Sequence, residues 1–139
     1  SLGVETLFHS IAMRPGKPTF FGRRGNAAVF GLPGNPVSTF VNFEILAKAY
    51  LGALQGLQAA PRLIRARLAA PLARKGSDRV EFLPAALFPA EDGMAARPLR
   101  YHGSSMITVL AQADALLRME IGVESMEEGA LVDARLIRP

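Results

Sequence analysis

Between Pro36 and Leu54 the chain carries an apolar surface too broad for one face of a helix. Val37, Phe40, Val41, Phe43, Ile45, Leu46, Leu51 and Leu54 fall at spacings that together cover most of the circumference. A helix that is apolar all round belongs between other elements. The segment is well punctuated. Asn35 suits the N-cap and Pro36 the first helical position, and Gly56, after Gln55, is a stop signal. Three short runs of strand character precede it: Leu7 to Ala12, Thr19 to Gly22 and Ala27 to Leu32. Arg23-Arg24-Gly25-Asn26 forms a tight turn between the last two. A strand meander feeding a buried helix reads as an α/β unit.

The pattern changes after Gly56-Leu57-Gln58-Ala59-Ala60-Pro61, which reads as a linker. Arg62 to Leu68, Val80 to Leu83, Met94 to Leu99 and Ala130 to Ile137 are further short strands. Turns at 75–78, 89–93 and 127–129 separate them, and one helical piece runs from Ser105 to about Ala113, capped by Ser104 or Ser105. Several short strands at this spacing predict a small β-barrel or sandwich. The expected division is therefore 1–57, α/β, and 58–139, mainly β.

Composition excludes several classes. The chain has 139 residues, half of them apolar, and a net charge of +4. That is enough apolar matter for a core and too little charge for a disordered chain. The absence of cysteine excludes a disulfide scaffold or a thiolate metal site. No run of 18 apolar residues is present, and Ser1 to Glu5 has no signal-peptide character, so a cytoplasmic chain with no membrane partner is expected. Between Arg62 and Glu81 there are 6 cations and 2 anions. No aromatic residues interleave them, so a solvated strand face is the reading and nucleic acid is not an expected partner. His9 and His102 lack ligand spacing, Glu124, Glu127 and Glu128 read as solvated, and no metal site is expected. There is no P-loop, GxGxxG or GxSxG motif.

Two segments carry chemistry. In Arg14-Pro15-Gly16-Lys17-Pro18, proline then glycine signals a type II turn, which brings two cations, Arg14 and Lys17, close together. In Gly31-Leu32-Pro33-Gly34-Asn35-Pro36-Val37-Ser38, a strand passes through a glycine turn into a helix start, whose free amides favour anions. Each has a plain structural reading, a basic turn in solvent and a capped helix. If the three strands form an antiparallel meander, however, both turns lie at one end of the sheet. Arg14, Lys17 and Ser38 then face one pocket suited to an oxyanion or phosphate. Gly103-Ser104-Ser105-Met106 is a third glycine-serine helix start, and a weak signal by itself.

These residues resemble a known family. Ile11-Ala12-Met13-Arg14-Pro15-Gly16-Lys17-Pro18, followed by Val29-Phe30-Gly31-Leu32-Pro33-Gly34-Asn35-Pro36-Val37-Ser38, resembles the molybdopterin molybdenumtransferases, the bacterial MoeA proteins and the gephyrin E domain. Arg79-Val80-Glu81-Phe82, Gly103 to Met106 and Leu110 to Asp114 resemble the C-terminal β-domain of the same family. The likeness implies the last strands and helix of a molybdopterin-binding α/β domain, followed by a small all-β barrel-like domain. It implies molybdenum cofactor biosynthesis: a transferase that inserts molybdate into adenylated molybdopterin and releases AMP.

In that family the residues matching Arg14, Lys17 and Ser38 belong to the catalytic pocket. Pro18, Pro33, Gly34 and Asn35 line the substrate, and Arg79 with Ser104 or Ser105 contributes from the β-domain. Arg14 stands where the family usually carries lysine, which keeps the charge but replaces a compact ammonium with a planar fork. Family members are about three times longer and form homodimers. They hold Mg²⁺ on an upstream Gly/Ser/Asp-rich loop, which Ser1 to Glu5 does not resemble. The chain is accordingly expected to be a C-terminal piece, inactive alone, with its magnesium ligands upstream and a sheet edge left open. A non-catalytic oxyanion- or pterin-binding module, or a scaffold module, is the alternative.

Overall fold

The computed structural model describes residues 3–57, 60–100 and 106–138, the side chains of Met106 and Ile107 excepted. The chain divides into two compact units, 1–60 and 61–139.

The first unit contains β1 (Glu5–Phe8), β2 (Met13–Arg14), β3 (Phe20–Arg24) and β4 (Ala27–Gly31). Next come α1 (Pro36–Asn42), a π-helical stretch at Phe43–Ala47, and α2 (Lys48–Leu54), without interruption. β1, β3 and β4 form an antiparallel sheet in that order. Gly25, at φ 57°, takes the first central position of the two-residue turn between β3 and β4, the place where a type II′ turn needs glycine. One face of the sheet is aromatic. Phe21 packs on Phe8 and Phe30, and Tyr50 of α2 meets the rings of Phe21 and Phe30 edge-on, with centroids 5.8 and 5.5 Å away. That cluster seats the helix on the sheet.

Two expectations are corrected here. The first strand is Glu5–Phe8, not Leu7 to Ala12. A bulge between Thr6 and Phe8 ends the regular pairing, and residues 9–12 leave the sheet. The helix is not enclosed on all sides. Val37 and Val41 are fully buried, but Phe43, Leu51 and Leu54 are 42, 46 and 67% exposed. Three strands at about 4.8 Å spacing make a sheet only about 10 Å across, which covers one side of a helix and no more. The helix ends as expected. Gly56 is at φ 70°, Leu57 N donates to Gly52 O (2.9 Å) and Gly56 N to Ala53 O (3.1 Å), a Schellman stop.

The second unit is a closed five-stranded barrel. β5 (Leu63–Leu68), β7 (Val80–Ala90), β8 (Gly93–Pro98), β9 (Ala115–Met119) and β11 (Leu131–Leu136) follow the circuit β5-β8-β7-β9-β11 and back to β5. The β5–β8 pair is parallel and the others are antiparallel. A two-stranded ladder of β6 (Leu72–Ala73) and β10 (Ser125–Met126) and the helix α3 (Met106–Gln112) complete it. Every barrel strand places one alanine in the interior: Ala66, Ala85, Ala96, Ala115 and Ala134 are at most 1% exposed. So narrow a barrel closes only if part of its lining is small, and Leu68, Leu117, Met119 and Val132 fill what remains.

Two strand expectations also change. β7 does not stop at Leu83. It runs through Pro84, pairs with β9 over 81–85 and with β8 over 85–90, and so serves two neighbours in succession. Proline is confined to places where its missing N–H costs no ladder bond. Pro84 lies one residue before the change of partner at Ala85, and its carbonyl accepts from Leu99 N at 2.8 Å. β9 was not foreseen, although it is the most deeply buried strand. Asp114 sets its start, with its Oδ2 accepting from Leu87 N (2.9 Å) and its own N–H donating to Ala85 O (2.9 Å).

The alanine lining yields a test. Ala115→Leu adds bulk where no space exists, so it should destabilise the chain by about 1–3 kcal/mol. Leu131→Ala, at a position 51% exposed, should change stability far less. Guanidinium unfolding of both variants measures the difference.

Candidate functional site

The helix start is built by its cap. Asn35 Oδ1 accepts from Ser38 N at 3.2 Å, and the Ser38 hydroxyl lies 3.4 Å from the same oxygen. The Thr39 hydroxyl shares its one proton between Pro33 O and Asn35 O (3.0 Å), which fastens the Pro33-Gly34 turn to the helix. Ser38 is only 8% exposed, while Gly34, Asn35 and Pro36 are exposed. A Cβ at Gly34 would meet nothing within 4 Å, so there the chain surface is open.

The basic segment at 14–18 differs from a simple hydrogen-bonded type II turn. The Arg14–Pro15 peptide is cis and Gly16 has φ 106°. The loop closes at its base, where Lys17 O accepts from Ile11 N (3.0 Å) and Thr19 N (2.9 Å). Lys17 and Pro18 are exposed, Arg14 and Pro15 half-buried, and Gly16 buried. The backbone of Lys17 is thus held while its ammonium is offered to solvent.

The two segments meet through residues that the sequence did not single out. Thr19 and Asn42 are both 0% exposed. The Thr19 hydroxyl lies 2.6 Å from Gly16 O and 2.5 Å from Asn42 Oδ1, so its single proton is shared between two acceptors. Asn42 Nδ2 donates to Ser38 O at 2.7 Å. Gly16 sits directly on this amide, and a Cβ there would fall 1.8 Å from Asn42 Nδ2. The meander brings the turn after β1 and the turn after β4 to one sheet end, and Asn42 joins them. The available signal was a polar residue in an apolar helix, four positions after Ser38.

In the second unit Arg79 is about one quarter exposed, and its Nε lies 3.3 Å from Asp78 Oδ2. Its carbonyl is held by Arg74, whose guanidinium also bonds Val123 O (2.7 Å) and Glu120 O (2.5 Å). The Arg74 side chain is 5% exposed and lies 3.5 Å from Glu81 Oε2. It is a structural clamp, not part of the solvated face expected for Arg62 to Glu81. Arg62, Arg65 and Arg67 of that stretch are exposed. Ser104 and Ser105 lie outside the described residues.

Among the described residues no group of three His, Asp or Glu side chains could hold a metal ion. No helix among them is long and apolar enough to cross a membrane. Two apolar clefts, of about 480 and 290 Å³, flank Tyr50 between the β3–β4 hairpin and the helix, and Arg14, Lys17 and Ser38 do not line them.

A cation-bearing turn and a capped helix start lie at one end of a three-stranded sheet, a five-stranded barrel follows in the chain, and the comparisons give this arrangement a family. Residues 65–137 match the MoeA C-terminal region (domain IV), and residues 1–53 match a probable molybdopterin binding domain. The chain belongs to the MoeA family. It is 33% identical to a molybdopterin molybdenumtransferase of Bacillus subtilis over 99% of its own length and 32% of that protein. A protein of the same name from Staphylococcus epidermidis is 28% identical over 98% of the chain and 32% of its own length. A crystal structure of a molybdopterin biosynthesis MoeA protein from Pyrococcus horikoshii superposes with a TM-score of 0.85 at 34% identity, over 99% of this chain and 33% of that one. The chain therefore spans about a third of the length of the curated relatives it matches.

The cap can be tested apart from any ligand. Asn35→Ala removes the acceptor for Ser38 N and should cost about 1 kcal/mol, whereas Asn35→Asp, which keeps it, should cost much less. Thermal melting of both variants checks this.

Proposed function

We propose that this chain contributes the oxyanion- and pterin-contacting C-terminal third of a molybdopterin molybdenumtransferase. That enzyme works in molybdenum cofactor biosynthesis, inserting molybdate into adenylated molybdopterin with release of AMP. The observation that carries the reading is the junction of the Arg14–Thr19 turn with the first helical turn through Asn42. The names and domain descriptions of the matched relatives give the chemistry.

Molybdate is a tetrahedral dianion, and the dithiolene that receives the metal is electron-rich. Their approach is repulsive unless charge is neutralised first. In the proposed site Lys17 Nζ and the Arg14 guanidinium supply two positive charges, and the Ser38 hydroxyl supplies a neutral donor. A unit charge pair at 4 Å is worth about 1 kcal/mol in water and about 4 kcal/mol at an effective dielectric of 20. A half-buried Arg14 therefore acts more strongly than a fully solvated one. Pro18, Pro33, Gly34 and Asn35 are assigned to the rim that receives the pterin nucleotide. Arg79 and Ser104 or Ser105 are the β-barrel's own contribution to substrate binding.

Magnesium belongs to the same proposed reaction. The described residues offer no fitting donor set, so no step is routed through it. Homodimer assembly and a cytoplasmic site of action complete the proposal, and residues 1–139 alone are expected not to turn over.

A chimaera tests this reading. Residues 1–139 replace the matching third of the Bacillus subtilis relative, and molybdenum insertion is assayed. The chimaera should be active. Lys17→Ala removes one charge-assisted hydrogen bond, worth about 1.5–3 kcal/mol, and should raise the molybdate requirement about tenfold or more. An unaffected Lys17→Ala chimaera would remove Lys17 from the site.

A further inference from the structure

Thr19 and Asn42 are wholly buried polar residues facing each other from the end of the basic turn and the end of α1. A buried amide left without partners costs about 1–3 kcal/mol, so such a pair persists only where its geometry is satisfied. Here each polar atom points at one of the two functional segments. Asn42 Nδ2 donates to the carbonyl of Ser38, and the single proton of the Thr19 hydroxyl is shared between Asn42 Oδ1 and the carbonyl of Gly16, the residue before Lys17. The contact is close enough to exclude any Cβ at Gly16. We propose that Thr19 and Asn42 are positioning residues that fix the register between Lys17 and Ser38, so that both can reach one tetrahedral anion. The inference rests on the oxyanion reading given above, yet it assigns to two further residues a task that neither performs by touching the ligand.

A sub-ångström arrangement matters because one tetrahedral ion offers oxygens only about 3 Å apart, and a donor misplaced by 1 Å loses most of its bond. Thr19→Val is nearly isosteric and deletes only the hydroxyl. Thr19→Ser keeps the hydroxyl and is the rescue variant. The 139-residue chain is used throughout, with sodium molybdate as the probe. Two quantities are read: molybdate affinity by calorimetry, and amide hydrogen exchange at Ile11 and Thr19, whose N–H groups both bond Lys17 O.

Thr19→Val should weaken molybdate binding at least tenfold and speed exchange at Ile11 and Thr19 at least tenfold. Protection of the β3–β4 hairpin should be unchanged, and Thr19→Ser should restore both readings. A purely structural role would lower hairpin protection together with the rest. If Thr19→Val unfolds the first unit, Thr19→Cys decides instead, since its neutral thiol is only a weak donor and adds no charge beside the anion. The proposal is overturned if local exchange is unchanged, or if exchange quickens while affinity stays the same. If the wild-type chain itself fails to bind molybdate, the oxyanion reading falls, and the exchange measurement still decides whether the pair holds the turn.

Discussion

Asn42 has no access to water, and its amide must find every partner inside the protein. That requirement organises the end of the first unit where the 14–18 loop meets the helix start. The amide can be satisfied only if the helix presents the Ser38 carbonyl on one side and the incoming loop presents Thr19 on the other. The loop can come near enough only because Gly16 has no side chain. The cis Arg14–Pro15 bond, the φ of 106° at Gly16 and the exposed Lys17 describe a loop bent around this one buried group. A helix cap at Asn35 and a hydrogen-bonded loop base at Lys17 O fix the backbone of the two segments that this group joins.

The barrel shows the opposite strategy, rigidity from small apolar residues with polar clamps at the seams. Five interior alanines let five strands close, and Arg74 ties three separate carbonyls together where the 79 and 120–123 segments approach. Arg138 performs a similar task at the far end, bonding Leu110 O and Ala111 O in the last turn of α3, where a cation also suits the helix dipole. The backbone that carries Arg79 is therefore held in place by Arg74.

Much of this was legible in the sequence, and the exceptions share a cause. The meander, the Gly25 turn, the Asn35 cap and the Gly56 stop all follow from local chemistry that glycine, proline and asparagine impose. The barrel was expected from strand spacing, but β9 was hidden. Ala115, Leu116 and Leu117 form a contiguous apolar run in an acidic stretch, and a strand buried on both faces shows no alternation. β7 was cut short at Pro84, because a proline argues against a central strand unless the pairing partner changes there. Arg74 looked like its solvated neighbours, since nothing local reveals a buried guanidinium. Thr19 and Asn42 were passed over because their partners lie 23 positions apart in the chain. The family likeness named Arg14, Lys17 and Ser38 but said nothing of what holds them together.

In the proposed enzyme the basic turn and the helix start form a single oxyanion site. Tungstate, the heavier congener of molybdate, makes the most direct test, through an anomalous difference map from crystals of this chain grown with it. A peak within hydrogen-bond reach of both Lys17 Nζ and Ser38 Oγ is expected. A well-ordered peak confined to the Arg62–Arg79 face, with none at the turn, would contradict it.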